Sequence, residues 1–218
     1  MRITVVIPAF NEAARLGETV RAIFALGHGY DVVVVDDGSE DGTSDAALFS
    51  GATVLRHAVN RGQGAALQTG TEWALAHDAD AIVHFDADGQ FDAADIPRAC
   101  VLLEERGVDV VLGSRLRLNV PATKRYLLLP VARIVNWAFT GVWLTDAHNG
   151  FRVFSRSAAE QIVISNDRMA HNTDIVAQIR ERGLSFAEMP VAVHYDRYGQ
   201  GVGGGVKIVA DLLVGWFL

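Results

Sequence analysis

Short runs of Val, Ile and other apolar residues alternate with longer segments of helical period over the first half of the chain, to about residue 113. The short runs predict strands, and the longer segments predict helices. Strands that are apolar throughout and separated by helices are typical of a parallel sheet covered on both faces. We therefore expect an α/β fold with a Rossmann-like, mostly parallel central sheet. The predicted strands span 3–7, 32–35, 53–56, 81–85 and 108–112, and the predicted helices span 13–26, 44–49, 64–77 and 95–106.

The regular alternation ends after residue 113. The second half predicts a short strand at 151–154, helices at 158–164 and 173–182, and a strand at 186–195 in which Pro190 favours a bent or edge position. A glycine-rich stretch at 202–205 predicts a loop. With 218 residues, half of them hydrophobic, the chain is long enough for one domain with a substantial core. We expect that single domain to have three parts, 1–113, 114–200 and 201–218.

Charge and cysteine content exclude several classes of protein. A formal net charge of −7 leaves no basic footprint for wrapping nucleic acid. The single cysteine, Cys100, excludes an internal disulfide and lacks the clustering of a zinc or redox site, so we expect a buried thiol. The chain enters a predicted strand without a charged and then apolar leader, which favours a cytoplasmic protein.

Two apolar segments, 127–144 and 206–218, complicate a purely soluble interpretation. As a helix, the terminal segment would reach roughly 20 Å, which is short of the roughly 30 Å hydrocarbon core of a bilayer. Both segments combine Trp with Lys or Arg, a composition favoured at a membrane surface. Packing on the core or on a second subunit is the alternative, and the sequence leaves both open. The apolar end is also compatible with a natural chain that continues into a membrane.

Acidic side chains follow three of the predicted strands at the point where each strand ends. They are Glu12 after the first strand, Asp36 and Asp37 after the second, and Asp86 and Asp88, with Gln90, after the fourth. Because the carboxyl ends of parallel strands face one crevice, we expect these groups to converge. Their negative charge calls for a cation, and hard oxygen ligands favour Mg²⁺ or Mn²⁺ over zinc. The alternative is a set of polar turns and helix caps, with Asn11, Thr43 or Ser44 as N-caps.

Six short motifs occur in the order found in the family 2 glycosyltransferases. They are PAFNE (8–12), DDGS (36–39), NRGQG (60–64), DADGQ (86–90), GSR (113–115) and GFR (150–152). From residue 3 to about 195 the chain most resembles the branch that makes polyprenyl-phosphate sugars. This resemblance implies a GT-A type fold, a nucleoside diphosphate sugar donor and inversion at the anomeric carbon. It also implies a Mg²⁺ or Mn²⁺ ion on Asp86, Asp88 and Gln90, which makes 1–113 the donor half and 114–200 the acceptor half.

The resemblance also implies a nucleoside site, formed by Pro8, Phe10, Glu12 and Asp37. Asp36 joins them because carboxylates at strand ends can accept hydrogen bonds from a nucleobase or a ribose. Phe10 departs from the pattern of that branch, which usually has tyrosine there, so stacking or packing could be kept but a phenolic hydrogen bond could not. Arg61 could reach phosphate, with a solvated arginine as the alternative.

Arg115 and Arg152 are the predicted acceptor residues. Arginine binds phosphate through paired hydrogen bonds, and the resemblance places both beside the acceptor. A lipid phosphate is already ionised near neutral pH and needs no general base. A hydroxyl acceptor would need one, and Asp146 is the leading candidate, with an Asx turn as its alternative role. Asp88, Asp146 and the two arginines are therefore the predicted catalytic residues.

The region around the last predicted helix is less distinctive. Asn172 or Thr173 suits the N-cap position, and Asp174 suits the first turn. The resemblance also allows Asp174 at the acceptor site, whereas His171 predicts a structural or surface role. The glycine-rich tail fits either a loop that orders over bound donor or a connector.

Together these observations predict an inverting, metal-dependent glycosyltransferase. It would move a sugar from a uridine or guanosine diphosphate to a polyprenyl phosphate, as a peripheral protein on the cytoplasmic face of a membrane. Transfer to a hydroxyl of a polysaccharide or glycolipid is one alternative. A non-catalytic nucleotide-sugar-binding scaffold is another, although the retained carboxylates Asp37, Asp86 and Asp88 argue against it. The sequence leaves open the sugar, the nucleoside, the lipid and whether the protein forms a homo-oligomer.

Overall fold

The computed structural model describes residues 1–115, 141–146, 149–164 and 170–194. Strands β1 to β7 are, in chain order, Ile3–Ala9, Asp31–Asp36, Thr53–Arg56, Ala81–His84, Val110–Ser114, Arg152–Ser155 and Phe186–Pro190. Helices α1 to α6 are Ala13–Phe24, Thr43–Phe49, Gln63–Ala76, Asp95–Arg106, Arg156–Gln161 and Ala170–Glu181. Each strand and helix predicted in this part of the chain is present, β3 and α4 with the predicted ends and the others with shifted ends, and the last strand ends at Pro190 rather than at 195.

The described strands form one sheet in the order β3-β2-β1-β4-β6-β5-β7. β1 lies parallel to β2 and β4, β2 lies parallel to β3, and β5 lies parallel to β7. β6 is antiparallel to both of its neighbours, β4 and β5. The predicted mostly parallel sheet is therefore confirmed, and β7 with its terminal Pro190 lies at the edge, as predicted.

Alternate strand side chains pack on opposite faces of the sheet. On one face Val5 and Val83 pack with apolar residues of α1, α2 and α4. On the other face Ile82 and Phe154 pack with residues of α3, α5 and α6. Both faces of these strands are covered by helices, so neither face favours polar residues and the strands are rich in Val and Ile. Cys100 belongs to the apolar residues on the same face of the sheet as Val5 and Val83, where burial raises the pKa of its thiol to about 12. The predicted buried thiol is therefore confirmed.

Helix α3 approaches β1 closely because a glycine faces the sheet. A Cβ atom built on Gly70 would lie 2.2 Å from Cγ1 of Val6 and 3.2 Å from Cγ2 of Val35. A side chain at this position would force the helix away from the strand. The contact fixes the first turn of α3, which begins at Gln63, close to the carboxyl edge of the sheet.

The alternative reading of the polar residues as helix caps is wrong at three positions. Asn11 does not cap α1, because Glu12 occupies the N-cap position and its side chain makes no capping hydrogen bond. Thr43 and Ser44 both lie inside α2. Oγ1 of Thr43 instead accepts a hydrogen bond from the backbone N–H of Glu12 at 2.9 Å and so joins two loops.

The predicted N-cap of the last helix is also wrong. Helix α6 already includes Ala170 and His171, so neither Asn172 nor Thr173 caps it. His171 is 1% exposed, which fits the predicted structural role. Oδ2 of Asp174 accepts a hydrogen bond at 3.2 Å from Gln178, one turn further along the same helix.

The two apolar segments lie largely beyond the described ranges. This holds for all of 206–218, for 127–140 of the other segment, and for the glycine-rich stretch. Trp143, in the described part, is 56% exposed. Across the described helices, none is both long enough and apolar enough to span a bilayer.

Candidate active site

A cleft of about 410 Å³ opens at the carboxyl ends of β1, β2 and β4. Six of the predicted site residues line it: Pro8, Phe10, Glu12, Asp37, Asp86 and Asp88. The turn before α3 supplies further lining, from Asn60, Gly62 and Gln63. The register explains this convergence, because β1 pairs in parallel with both β2 and β4 and the residues after each strand share one edge. The other predicted site residues do not line this cleft, namely Asp36, Arg61, Gln90, Arg115, Asp146 and Arg152.

Asp37 organises the turn that precedes α3. Its carboxylate accepts hydrogen bonds from the backbone N–H groups of Arg61 at 2.9 Å and Gly62 at 2.7 Å. Nδ1 of His57 lies 2.6 Å from Oδ1 of the same carboxylate, and Nε2 of His57 lies 3.0 Å from Oγ1 of Thr69. Asp37 therefore fixes one wall of the cleft as well as lining it. The sequence interpretation missed His57, which lies only three residues before the NRGQG motif.

Gly38 allows the turn after β2 to meet the turn before α3. Its φ is +76°, in the left-handed region, and a Cβ atom there would lie 2.7 Å from the carbonyl carbon of Val59. The absence of a side chain at Gly38 therefore lets the backbones of the two turns pack closely.

Asp36 is fully buried and its oxygens have partners inside the protein. Oδ1 accepts from the backbone N–H of Ser39 at 2.9 Å, Oδ2 accepts from the hydroxyl of Ser44, and Nε of Arg56 lies 3.8 Å away. Burial alone would raise the pKa of Asp36, but the hydrogen bonds from both serines outweigh it and the pKa lies below its usual value. In this arrangement Asp36 holds the loop after β2 in shape.

Asp86 lies at the base of the cleft and is only partly exposed. Nε2 of Gln63 donates to its Oδ1 at 3.2 Å. Desolvation by the surrounding protein, followed by the charge of Asp88, raises the pKa of Asp86 to about 6. Arg152 and Arg115 act in the opposite direction without cancelling this effect. The pair of carboxylates therefore carries negative charge that the protein neutralises only in part.

Gly150 packs directly against the carboxylate of Asp86. A Cβ atom at residue 150 would lie 2.4 Å from Oδ2 of Asp86 and 2.8 Å from Oδ1. The turn around Gly150 is held by Asn149, whose Oδ1 accepts from the backbone N–H of Phe151 at 2.9 Å. This contact is an Asx turn made by Asn149.

The chemistry of Asp86 and Asp88 fits a shared divalent cation. No cluster of three or more His, Cys, Asp or Glu side chains arranged for a metal occurs within the described ranges. Two carboxylate side chains of hard oxygen character leave coordination positions for phosphate oxygens and water, as Mg²⁺ prefers. Gln90 joins the same turn through its backbone, whose N–H donates to Oδ1 of Asp88 at 3.0 Å.

Arg115 and Asp146 form a bidentate ion pair. Nε of Arg115 lies 2.6 Å from Oδ2 of Asp146, Nη2 lies 2.8 Å from Oδ1, and the backbone N–H of Arg115 donates to Oδ2 at 3.0 Å. Asp146 is 6% exposed, whereas the side chain of Arg115 is 30% exposed. The carboxylate that sequence reasoning assigned as a general base therefore has both oxygens engaged by an arginine.

Arg152 is buried in the protein, at 2% exposure. Its Nη2 donates to Oδ1 of Asn172, and its Nη1 has no hydrogen-bond partner among the residues that the structure describes. Burial lowers its pKa to about 10, while Asp86 and Asp146 act to raise it. The guanidinium therefore stays charged near neutral pH and lies close enough to both carboxylates to interact with them electrostatically.

Glu12 and Phe10 form the outer wall of the cleft. Desolvation raises the pKa of Glu12, Arg15 lowers it, and Asp88 raises it further. Phe10 is 45% exposed, which leaves an aromatic face open to the cleft. Arg61 is exposed and joins the site through its backbone, so the structure gives its side chain the solvated position that the sequence left as an alternative.

Comparison with known sequences gives consistent matches. The profile of glycosyl transferase family 2 matches residues 4–163. An uncharacterized protein of Methanocaldococcus jannaschii is 35% identical over 97% of this chain and 91% of its own length. An undecaprenyl-phosphate mannosyltransferase of Micrococcus luteus is 30% identical over 94% of this chain and 89% of its own. A UDP-N-acetylglucosamine–dolichyl-phosphate N-acetylglucosaminyltransferase of Methanococcus voltae is 28% identical over 94% of this chain and 91% of its own length.

Comparison with solved structures shows the same fold. Glucosyl-3-phosphoglycerate synthase from Mycobacterium tuberculosis, in complex with phosphoglyceric acid, has a TM-score of 0.74 and 20% identity over 98% of this chain and 79% of that chain. The same enzyme in complex with Mn²⁺ and UDP-glucose has a TM-score of 0.72 and 20% identity over 98% of this chain and 78% of that chain. The predicted GT-A type fold is confirmed.

Proposed function

Because this chain belongs to glycosyl transferase family 2 and is a glycosyltransferase, we propose that it moves one sugar from a nucleoside diphosphate to a polyprenyl phosphate, with inversion at the anomeric carbon. The observation that carries the proposal is the cleft in which Asp86 and Asp88 lie beside Phe10, Glu12 and Asp37. The relatives named for undecaprenyl and dolichyl phosphate support a lipid phosphate acceptor.

The donor nucleoside would occupy the wall formed by the residues after β1 and β2. Phe10 offers a stacking face, and Glu12 offers carboxylate oxygens. Asp37 uses three of about four carboxylate lone-pair positions on His57 and two backbone N–H groups, which leaves one for a nucleobase or ribose donor. Acceptor groups of this kind suit uridine and guanosine, whose bases present N–H donors.

Asp86 and Asp88, with Gln90 nearby, would hold Mg²⁺ or Mn²⁺ against the donor diphosphate. When bound, the cation supplies positive charge where negative charge develops on the leaving group. The protein contributes the fixed position of Asp86, which Gln63 and the turn at Gly150 hold in place. Asp88 is held by the backbone of its own turn.

The hydrogen bonds between Asp146 and Arg115 favour a phosphate acceptor over a hydroxyl acceptor. An ionised phosphate oxygen can attack the anomeric carbon directly, and one direct displacement inverts that carbon. A hydroxyl acceptor requires a base, but both oxygens of Asp146 are bonded to Arg115. The side chain of Arg115 stays partly exposed within this ion pair, and we assign it the contact with the acceptor phosphate. Such an acceptor is anchored in a membrane, so the protein would act peripherally at the cytoplasmic face.

Substitution of Asp88 tests the proposal. We expect Asp88→Asn to remove a ligand of the cation, with a loss of kcat on the order of 100-fold or more at unchanged thermal stability. Asp45→Asn is the matched control, since Asp45 is an exposed aspartate in the first turn of α2, outside the cleft. Transfer is measured with UDP- and GDP-linked sugars, a polyprenyl phosphate and Mn²⁺.

Three other results would contradict parts of the proposal. Full activity of Asp88→Asn in the presence of a chelator would exclude metal-dependent transfer. Transfer to hydroxyl acceptors, abolished by Asp146→Asn, would favour polysaccharide or glycolipid synthesis. Donor binding without transfer to any acceptor would favour a non-catalytic scaffold.

A further inference from the structure

Arg152 places a buried positive charge at the edge of the sheet where the cleft opens. It is the first residue of β6 and pairs with His84, the last residue of β4, at the carboxyl edge of the sheet. Both side chains are almost fully buried, at 2% and 1% exposure. In the described part of the chain, Nε2 of His84 lies 3.0 Å from Oγ1 of Thr71 and Nδ1 has no hydrogen-bond partner, which is the environment of a neutral buried imidazole. The positive charge of this buried pair therefore belongs to Arg152 alone.

The hydrogen bond from the Arg152 guanidinium does not neutralise it. Nη2 donates to Asn172, which is a neutral amide, and Nη1 has no hydrogen-bond partner in the described part of the chain. Asp86 and Asp146 act on Arg152 electrostatically. Arg152 also does not line the cleft. Gly150, two residues before Arg152, packs against the Asp86 carboxylate, so a guanidinium held by an uncharged side chain acts through its field on a nearby carboxylate.

The charges around the site can be assigned in two groups. Asp146 is bonded on both oxygens to Arg115, so these two charges balance each other. Of the four carboxylates that line the cleft, Asp86 and Asp88 are the pair assigned to the cation, and Asp86 interacts with Arg152. Two negative charges and one positive charge give this second group a net charge of −1. Without Arg152 the same group would carry −2.

We propose that Arg152 is the fixed countercharge of the cation site, and that it weakens binding of a divalent cation alone while strengthening binding of the donor diphosphate. This inference rests on the proposed function, since it requires the cation and the diphosphate to meet at Asp86 and Asp88. A site of charge −1 attracts Mn²⁺ less than a site of −2 and repels a diphosphate less. Arg152 thus favours joint entry of cation and donor over a site filled by metal alone.

The two affinities should change in opposite directions when Arg152 loses its charge. In Arg152→Met we expect Mn²⁺, without nucleotide, to bind at least about tenfold more tightly, and UDP, without metal, to bind at least about tenfold more weakly. Loosening of the fold would weaken both. Asn172→Asp is a nearly isosteric second variant, because it keeps Arg152 in place and balances its charge, and it should shift both affinities in the same directions.

Titration calorimetry at pH 8 with Mn²⁺ alone and with UDP alone measures both constants for each protein. Arg106→Met is the control for net charge, since Arg106 is exposed in the last turn of α4. Arg152→Lys should keep both affinities near those of the wild type. Thermal unfolding establishes which variants are folded, and Asn172→Asp decides the question if Arg152→Met is not.

Opposite shifts in Mn²⁺ and UDP affinity, absent from Arg106→Met, would support the proposal. Unchanged affinities, or affinities that both fall, would overturn it while leaving the cation site intact. A wild-type protein that binds neither Mn²⁺ nor UDP, separately or together, would instead overturn the proposed function and the inference that depends on it.

Discussion

Replacement of Gly150 by alanine tests whether the position of the Asp86 carboxylate controls turnover. The added Cβ would lie 2.4 Å from Oδ2, 2.8 Å from Oδ1 and 2.9 Å from Cγ of Asp86. Non-bonded carbon contacts are favourable near about 3.5 Å, so the carboxylate or the turn must move by about 1 Å. A displacement of about 1 Å at a reacting site costs on the order of 100-fold in rate. Overpacking costs about 1–3 kcal/mol of folding free energy, which leaves a typical domain folded.

The assay is kcat/KM for sugar transfer, measured beside urea unfolding of the same preparation. Gly42→Ala is the matched control, because the added Cβ would lie 3.9 Å from Cβ of Ala13, an ordinary contact. We expect the control to retain kcat/KM within about twofold. A folded Gly150→Ala enzyme with wild-type kcat/KM would refute the reasoning that this glycine holds Asp86 in its working position.

Three further predictions concern the fold and the donor wall. Gly70→Ala should lower the free energy of unfolding by about 1–3 kcal/mol in urea titrations, because the added Cβ would lie 2.2 Å from Cγ1 of Val6. An unchanged midpoint of unfolding would contradict the close packing of α3 on β1. His57→Ala should raise the donor KM about tenfold at retained kcat, since Asp37 loses its 2.6 Å contact; a lower kcat at constant KM would argue against this role. Burial raises the pKa of the Cys100 thiol to about 12, so Cys100 should resist iodoacetamide at pH 8 in the native protein and react after unfolding. Rapid labelling of the native protein, detected by mass spectrometry, would contradict its burial.

The convergence of carboxylates at one edge was predictable because it follows from strand direction. β1, β2 and β4 each contain an uninterrupted run of at least three apolar residues, which predicted parallel pairing, and parallel pairing aligns the ends of neighbouring strands. Glu12, Asp37, Asp86 and Asp88 therefore lie in one cleft without any long-range information in the sequence. The residues that each motif contributes could be chosen by type, because cations and nucleosides require oxygen acceptors.

The remaining details depend on contacts between residues far apart in the chain. Arg115 and Asp146 are separated by 31 positions, and nothing in either motif indicates that they bond to each other. β6 has four residues, and so short a strand carries no information about its direction. Likewise the sequence shows a glycine at 150 but not the carboxylate that rests on it. Asp36 and Asp37 are adjacent and alike in type, yet only Asp37 lines the cleft, because successive side chains of an extended segment point in opposite directions.

The most direct test of the proposed function compares two acceptors that differ only in the phosphate. Purified protein is incubated with UDP- or GDP-linked sugars and Mn²⁺, together with either a polyprenyl phosphate or the corresponding polyprenol, and the lipid products are identified by mass spectrometry. We expect a glycosylated lipid phosphate from one donor, no product from the polyprenol, and loss of product when the metal is chelated. Transfer to the polyprenol, or no transfer to the lipid phosphate from any donor by folded protein, would contradict the proposed function.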